Sequence, residues 1–366
     1  MQNANPLAGR AFTGPGGEER AFRAGLFLRA AVYDSGGAVA KCRELGIPLK
    51  LAETKPLKGF FKASGESITT AGGFLAPNEL QAEILSLRDL AAVYRSNCRV
   101  LPMGSDSRSW PRRTGGIVAS FIAENTTFTD STAAWDNINF SAKKLGGLVN
   151  LPSELYEDET VGLAQWFAEE LAYSFASKED DCGFNGDGTS TYSGIRGLTY
   201  LATDGNHNAG KYTAASGHNT FNLLDASDIA GLIGTLPEYA MPGAAFYCSN
   251  IGAANTLFRL GQSSGAIGSI IEDGKQVPTY LTFPIRLTPK LPAITTTLSG
   301  KVMMLFGDLR LAGAIGNRRG VTVQTSDQRF LDTDQIAVRG TQRFDLVNHD
   351  MGDNQKAGPI VALAAP

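Results

Sequence analysis

The sequence predicts an α+β fold with a central sheet, and three observations predict it. Residues 158–181 place Ala164, Phe167, Ala168, Leu171 and Phe175 on one helical stripe. Residues 93–151 read as extended. Beyond Gly183, short helical and strand-like stretches are mixed in an order that fits an α/β or α+β domain.

From the N-terminus, residues 1–17 are polar and glycine-rich, ending Gly14-Pro15-Gly16-Gly17, and predict a flexible arm. Residues 18–41 predict a helix on the stripe Phe22, Leu26, Phe27, Ala30, Ala31 and Tyr33, which Gly36-Gly37 should end or break. A polar linker over 48–71 leads to Gly72-Gly73-Phe74-Leu75-Ala76-Pro77. Leu80, Ile84 and Leu87 then predict a helix over 78–90, with Asn78 as its N-cap.

The β-rich run Ile117-Val118-Ala119-Ser120-Phe121-Ile122 and the stretch 135–151, alternating at Ile138, Phe140 and Ala142, predict a long hairpin. Its tip, 124–134, is rich in Thr, Ser, Asn and Asp. An isolated two-stranded hairpin is marginal in water, so this one must lie on its own core or on a neighbour. The helix over 158–181 follows. Trp166 and Tyr173 lie off its stripe and hint at a second contact face. Its end carries Glu179, Asp180 and Asp181, acids that oppose the helix dipole. A solvated, frayed terminus explains them, and so does a basic partner from elsewhere. Helices are expected over 226–236 and 251–260, strands over 244–247, 279–287, 301–306 and 321–325, and an extended stretch over 335–347. There is no internal repeat and no heptad pattern.

Composition narrows the function classes. Charged residues make up 19% of the chain, below the usual ~25%, and 42 of 366 residues are glycine. Interface cores are depleted of charge in the same way, although a glycine-rich enzyme would show similar figures. A net charge of −3 argues against a dedicated nucleic-acid binder. Cys42, Cys98, Cys182 and Cys248 are isolated and read as reduced cytosolic thiols, neither a disulfide framework nor a zinc site. No apolar run has membrane-spanning length, and the N-terminus lacks a secretory pattern, so folding in cytoplasm is expected.

The chain is poor in catalytic patterns. His207, His218 and His349 are its only histidines, and none stands in a metal-binding spacing. No phosphate-binding glycine motif occurs. Asp181, Asn185 and Gly186-Asp187-Gly188 resemble a calcium loop only until the third position falls on Gly183 and the twelfth on Tyr192. Gly261-Gln262-Ser263-Ser264-Gly265 satisfies G-x-S-x-G, with Asp273 and His349 following in hydrolase order. That motif needs a strand before Ser263 and a helix after it, whereas 253–260 reads as helical, so a loop is the better reading. No catalytic, cofactor-binding or metal residue is assigned. Arg112-Arg113, Lys143-Lys144 and Arg318-Arg319 are the basic doublets, suited to solvent, phosphate or the acids of another subunit.

The order of motifs resembles a family. Gly72-Gly73-Phe74-Leu75-Ala76-Pro77 looks like its entry motif. Phe121-Ile122-Ala123-Glu124 and Phe140-Ser141-Ala142-Lys143-Lys144-Leu145 look like the arms of its extended loop. Leu151-Pro152-Ser153-Glu154-Leu155 resembles the lead-in to its spine helix. Phe184-Asn185-Gly186-Asp187-Gly188, Ser193-Gly194-Ile195, Phe283-Pro284-Ile285, Phe306-Gly307-Asp308, Val338-Arg339 and Arg343-Phe344-Asp345 match its later segments. In this order they resemble the major capsid proteins of tailed bacteriophages, whose fold also builds encapsulin shells and the herpesvirus capsid floor.

The resemblance implies an N-terminal arm with a helical segment (1–76), a peripheral domain (77–103, 148–194 and 321–366), an extended loop (104–147) and an axial domain (195–320). It implies a shell subunit and no enzyme, forming hexamers and pentamers of itself in a virion assembled in host cytoplasm. Scaffold, portal and decoration proteins are its expected partners. Packaged double-stranded DNA is expected to be touched weakly and non-specifically, with no membrane and no cofactor. An encapsulin-like nanocompartment is the alternative, and a serine hydrolase using Ser263 the remote one. Arg112 and Arg113 of one extended loop are expected to meet Glu179, Asp180 and Asp181 of a neighbour.

Overall fold

The computed structural model describes residues 6–7, 9–13, 16–33, 40–42, 44–45, 47, 74–75, 78–117, 119, 121, 132–152, 161–272, 274–330 and 335–366. The expected linker at 48–71, the Gly36-Gly37 break, most of the 72–77 motif, Ser153-Glu154-Leu155 and the tip at 124–131 lie outside the described residues. In chain order come α1 (Gly17–Tyr33), β1 (Phe74–Leu75), α2 (Asn78–Ala91), α3 (Val93–Asn97), β2 (Arg99–Pro102), β3 (Ser107–Arg113), β4 (Trp135–Ser141), β5 (Lys143–Pro152) and α4 (Val161–Asn185). Then follow β6 (Lys211–Thr213), α5 (Ala226–Thr235), β7 (Ala245–Cys248), α6 (Arg259–Ser264), β8 (Ile267–Glu272), β9 (Lys275–Tyr280) and β10 (Phe283–Leu287). β11 (Val302–Gly307), β12 (Gly313–Phe330), β13 (Gln335–Asn348) and β14 (Ile360–Ala364) complete the set. The chain divides into two compact units, one of residues 1–92, 144–179 and 319–343, the other of 93–143, 180–318 and 344–366.

In the first unit the predicted stripe of α4 is the core. Phe167, Ala168, Leu171, Ala172 and Phe175 are buried against Leu80, Ile84 and Leu87 of α2 and Val321, Val323 and Val338 of the long strands. Tyr173 packs partly against this core, whereas Trp166 is exposed. Strand order is β1-β12-β13-β5, with Phe74 opposite Thr325 in an antiparallel pair. Gly340 lets a strand touch the helix, because a Cβ there would come within 2.5 Å of Leu171. The N-terminal segment differs from the flexible arm expected over 1–17. Leu7, Ala11 and Phe12 are buried in this core, and Glu169 accepts hydrogen bonds from the Gly9 (3.0 Å) and Ala11 (2.9 Å) backbones. Glu83 accepts from the Phe12 backbone (2.8 Å), so two carboxylates from α2 and α4 satisfy donors that a polar composition suggested were left to water.

The second unit is built on a seven-stranded sheet of order β6-β14-β11-β7-β10-β9-β8. Every residue of β7, β11 and β14 is buried, as strands covered on both faces require. Phe246 and Phe306 pack with ring centroids 4.5 Å apart, and Phe283 meets Phe306 edge-on at 5.0 Å. The single strand expected over 279–287 is two, because Leu281 and Thr282 both take positive φ (48° and 75°) and reverse the chain. β2 pairs in parallel with the start of β12, placing Val100 beside Ile315.

Candidate assembly surface

The extended hairpin is a two-stranded ribbon of β3 and β4, with Ser107 opposite Ser141 and Arg113 opposite Trp135. Its first strand is therefore Ser107–Arg113 and not the β-rich run at 117–122. The described residues of that run are outside any strand, and Ile117 (71%) and Phe121 (fully) are exposed. β3 (SRSWPRR) lacks apolar alternation and contains a proline, which a ribbon edge tolerates because that position needs no N–H donor.

Few side chains hold the ribbon. Ile138 and Phe140 enter a small cluster with Leu101, Met103 and Ala314. The guanidinium groups of Arg99 (5.3 Å from the ring centroid) and Arg108 (4.9 Å) both lie over Trp110 in cation–π contact. Asp345 accepts from the Ser141 backbone and from Lys143 Nζ, both at 2.7 Å. Toward the loop, Arg112 donates to the backbone oxygen of His349 and lies 3.7 Å from Asp136. Arg113 is exposed and donates to the Gly115 carbonyl (3.1 Å). Trp135, paired with it, is 65% exposed.

The acids expected to face a neighbour are placed differently. α4 continues to Asn185, so Glu179, Asp180 and Asp181 stand inside the helix and not at its last turn. Glu179 is fully buried, accepting from Gln342 Nε2 (2.6 Å) with Arg88 at 3.9 Å, and Arg88 also donates to Gln342 (3.0 Å). Asp180 accepts from the backbones of Val93 (3.0 Å) and Tyr94 (2.9 Å), the first donors of α3. Against the expectation of outside cations, Glu179 and Asp180 are buried and accept from donors of the same chain. Asp181 accepts from Asn185 (3.3 Å) and is half-buried. Burial, with Asp181 nearby, raises the Tyr192 phenol above its ordinary pKa.

The remaining candidates are structural. Ser263 lies in α6 with its hydroxyl on the Leu260 carbonyl (2.8 Å), and strand β8 follows. Helix then strand is the reverse of a nucleophile elbow, and Asp273 lies outside the described residues. Ligand atoms of His218, Asp225 and Asp228 fall within 4.8 Å of one another. They form the capping box of α5: Asp225 accepts from Ser227 and Asp228, and Asp228 from Ala215, Asp225 and, at 2.6 Å, His218. The hydrogen bond from Ser227, first among the causes, holds the Asp225 carboxyl below its usual pKa. The turn at Gly186 closes on itself through Gly197 N–H to Gly186 O (2.7 Å), and a Cβ at Gly186 would meet Ile195 O at 2.6 Å. All four cysteines are buried, and burial pushes the Cys248 thiol up to about 12. Among the described residues, no helix is long and apolar enough to cross a membrane.

Comparison with known proteins supplies the frame for this surface. The curated major capsid protein of Klebsiella oxytoca phage phiKO2 is 28% identical over 127 residues, 34% of this chain. The match spans only 30% of that protein's length. The capsid of a native GTA particle covers 75% of this chain and 91% of its own, with a TM-score of 0.56 and 15% identity. A structure from Microbacterium phage Oxtober96 covers 89% and 98% at TM-score 0.56 and 13% identity. One from Mycobacterium phage Adephagia covers 75% and 90% at 0.52 and 18%. At such identities the likeness is one of fold. The model described as the phage capsid family matches residues 72–350, about three quarters of the sequence, and on that match the chain belongs to the phage capsid family.

Proposed function

We propose that this chain is the major capsid protein of a tailed phage, a structural subunit that assembles as hexamers and pentamers into the icosahedral head around the genome. The observation that carries the reading is the β3–β4 ribbon, where Arg113 and Trp135 at its outer end are exposed, as are Ile117 and Phe121 beyond it, while only Ile138 and Phe140 of its two strands are buried. A ribbon so poor in core gains its stability from a neighbouring copy. Contacts of unlike patches, repeated around an axis, close into rings.

In this reading 104–147 is the extended loop, 77–103, 148–194 and 321–366 the peripheral domain, and 195–320 the axial domain. The N-terminal 1–76 remains an arm only beyond its docked part, because Leu7, Ala11 and Phe12 already serve the first unit's core. Intersubunit pairing is carried forward for Arg112, Arg113 and Asp181, the last being the least buried of the three acids. Scaffold, portal and decoration proteins, and weakly held DNA, are the further partners. Electron microscopy of the chain expressed with its phage's assembly proteins tests the reading. Icosahedral shells containing DNA are expected; a persistent monomer under all assembly conditions overturns it, and shells filled with a cargo enzyme point to a nanocompartment.

A further inference from the structure

We propose that the extended ribbon is held by an acid-sensitive latch, in which Arg112 grips the backbone of His349 only while the imidazole of His349 is neutral. The inference concerns the single chain and goes beyond the assembly reading.

Arg112 is the last residue but one of β3, and its guanidinium donates to the His349 carbonyl. This contact ties the ribbon, just before the loop, to the segment that follows β13. The backbone of His349 is itself fixed, donating to the Ala312 carbonyl at 2.9 Å. The ring is less well provided for. Its Nδ1 is buried and, in this structure, without a hydrogen-bond partner. A neutral ring can leave a lone pair there and carry its proton on Nε2. A protonated ring must place a charged N–H at the same buried position, which is costly without an acceptor.

Two of the three surrounding charges act in the same direction. Arg112 from β3 and Arg99 from β2 disfavour a charged ring, and the neighbouring Asp350 opposes them. Asp136 from β4 is spent on Arg112. Burial first, then Arg112, hold the His349 imidazole below its ordinary pKa. The sign follows by linkage. The seated state binds fewer protons than the released state, so the seat is stable above the ordinary histidine range. That stability is lost as pH falls from about 6.5 through the lower, seated pKa. His207 and His218 differ, since each ring meets a carboxylate, Asp204 at 3.0 Å and Asp228 at 2.6 Å.

The test is hydrogen exchange on the full chain, corrected for intrinsic rates, at about pH 7.5 and about pH 5. Protection of 107–113 and 135–141 should fall by at least about threefold at the lower pH, while β11 and β14 hold. In His349→Gln the ribbon should keep its protection at both pH values. His349→Phe repeats the test should the amide disturb the site. An unchanged wild-type ribbon, or the same fall in both variants, overturns the latch.

Discussion

Strand β11 and strand β3 are nearly the same length and have opposite fates. Each residue of β11 is buried, whereas β3 alternates between exposed and half-covered. The first is fixed by apolar area: a buried Phe or Leu contributes about 1.5–3 kcal/mol. The second is fixed by cation–π contacts, a carboxylate bridge and one guanidinium contact. What separates them is where the burial is to come from. β11 completes its own sheet, and β3 leaves every second residue exposed.

The sharpest way to break the contrast is at the buried end. Phe306→Ala removes a fully buried ring that meets both Phe246 and Phe283, and should cost about 3–5 kcal/mol by denaturant titration. A cost below about 1 kcal/mol would mean the sheet is not the stabilising element. Next, Glu179→Ala takes from the first unit's interior the acceptor of Gln342 and one of the two carboxylates beside Arg88, which keeps Asp89 at 2.7 Å. Leaving a buried donor unsatisfied in this way should cost about 1–3 kcal/mol, and the conservative Glu179→Gln less. If both variants unfold with wild-type midpoints, the buried network is decorative. Smallest is the exposed end, where Arg113→Glu should change stability by under about 0.5 kcal/mol yet lower the yield of assembled particles. Unaltered yield removes Arg113 from the interface.

Some of this was legible in residue spacing. The α4 stripe Phe167, Ala168, Leu171 and Phe175 is the buried face, because a 3.6-residue period survives any tertiary context. The extended character of 135–151 was equally plain. Its partner strand was not: Ser107–Arg113 lacks apolar periodicity, and the arginines over its Trp110 are contacts that hydropathy does not register. Ile117 and Phe121 carried the stronger strand signal and are exposed, which makes them better evidence for an interface than for a fold. The acids of α4 were visible, but the partner of Glu179 lies 163 residues away in β13. The turn at Leu281-Thr282 has neither Gly nor Asn to announce it. The buried β14 run, Ile360 to Ala364, is too short to be told from a helix turn by pattern.

The central claim is that the exposed end of the ribbon is interface. Hydroxyl-radical footprinting of Phe121 and Trp135 in the unassembled chain and in purified particles tests it most directly. Both side chains should react readily in the free chain and become protected in the particle. Equal reactivity in the two forms would contradict the claim.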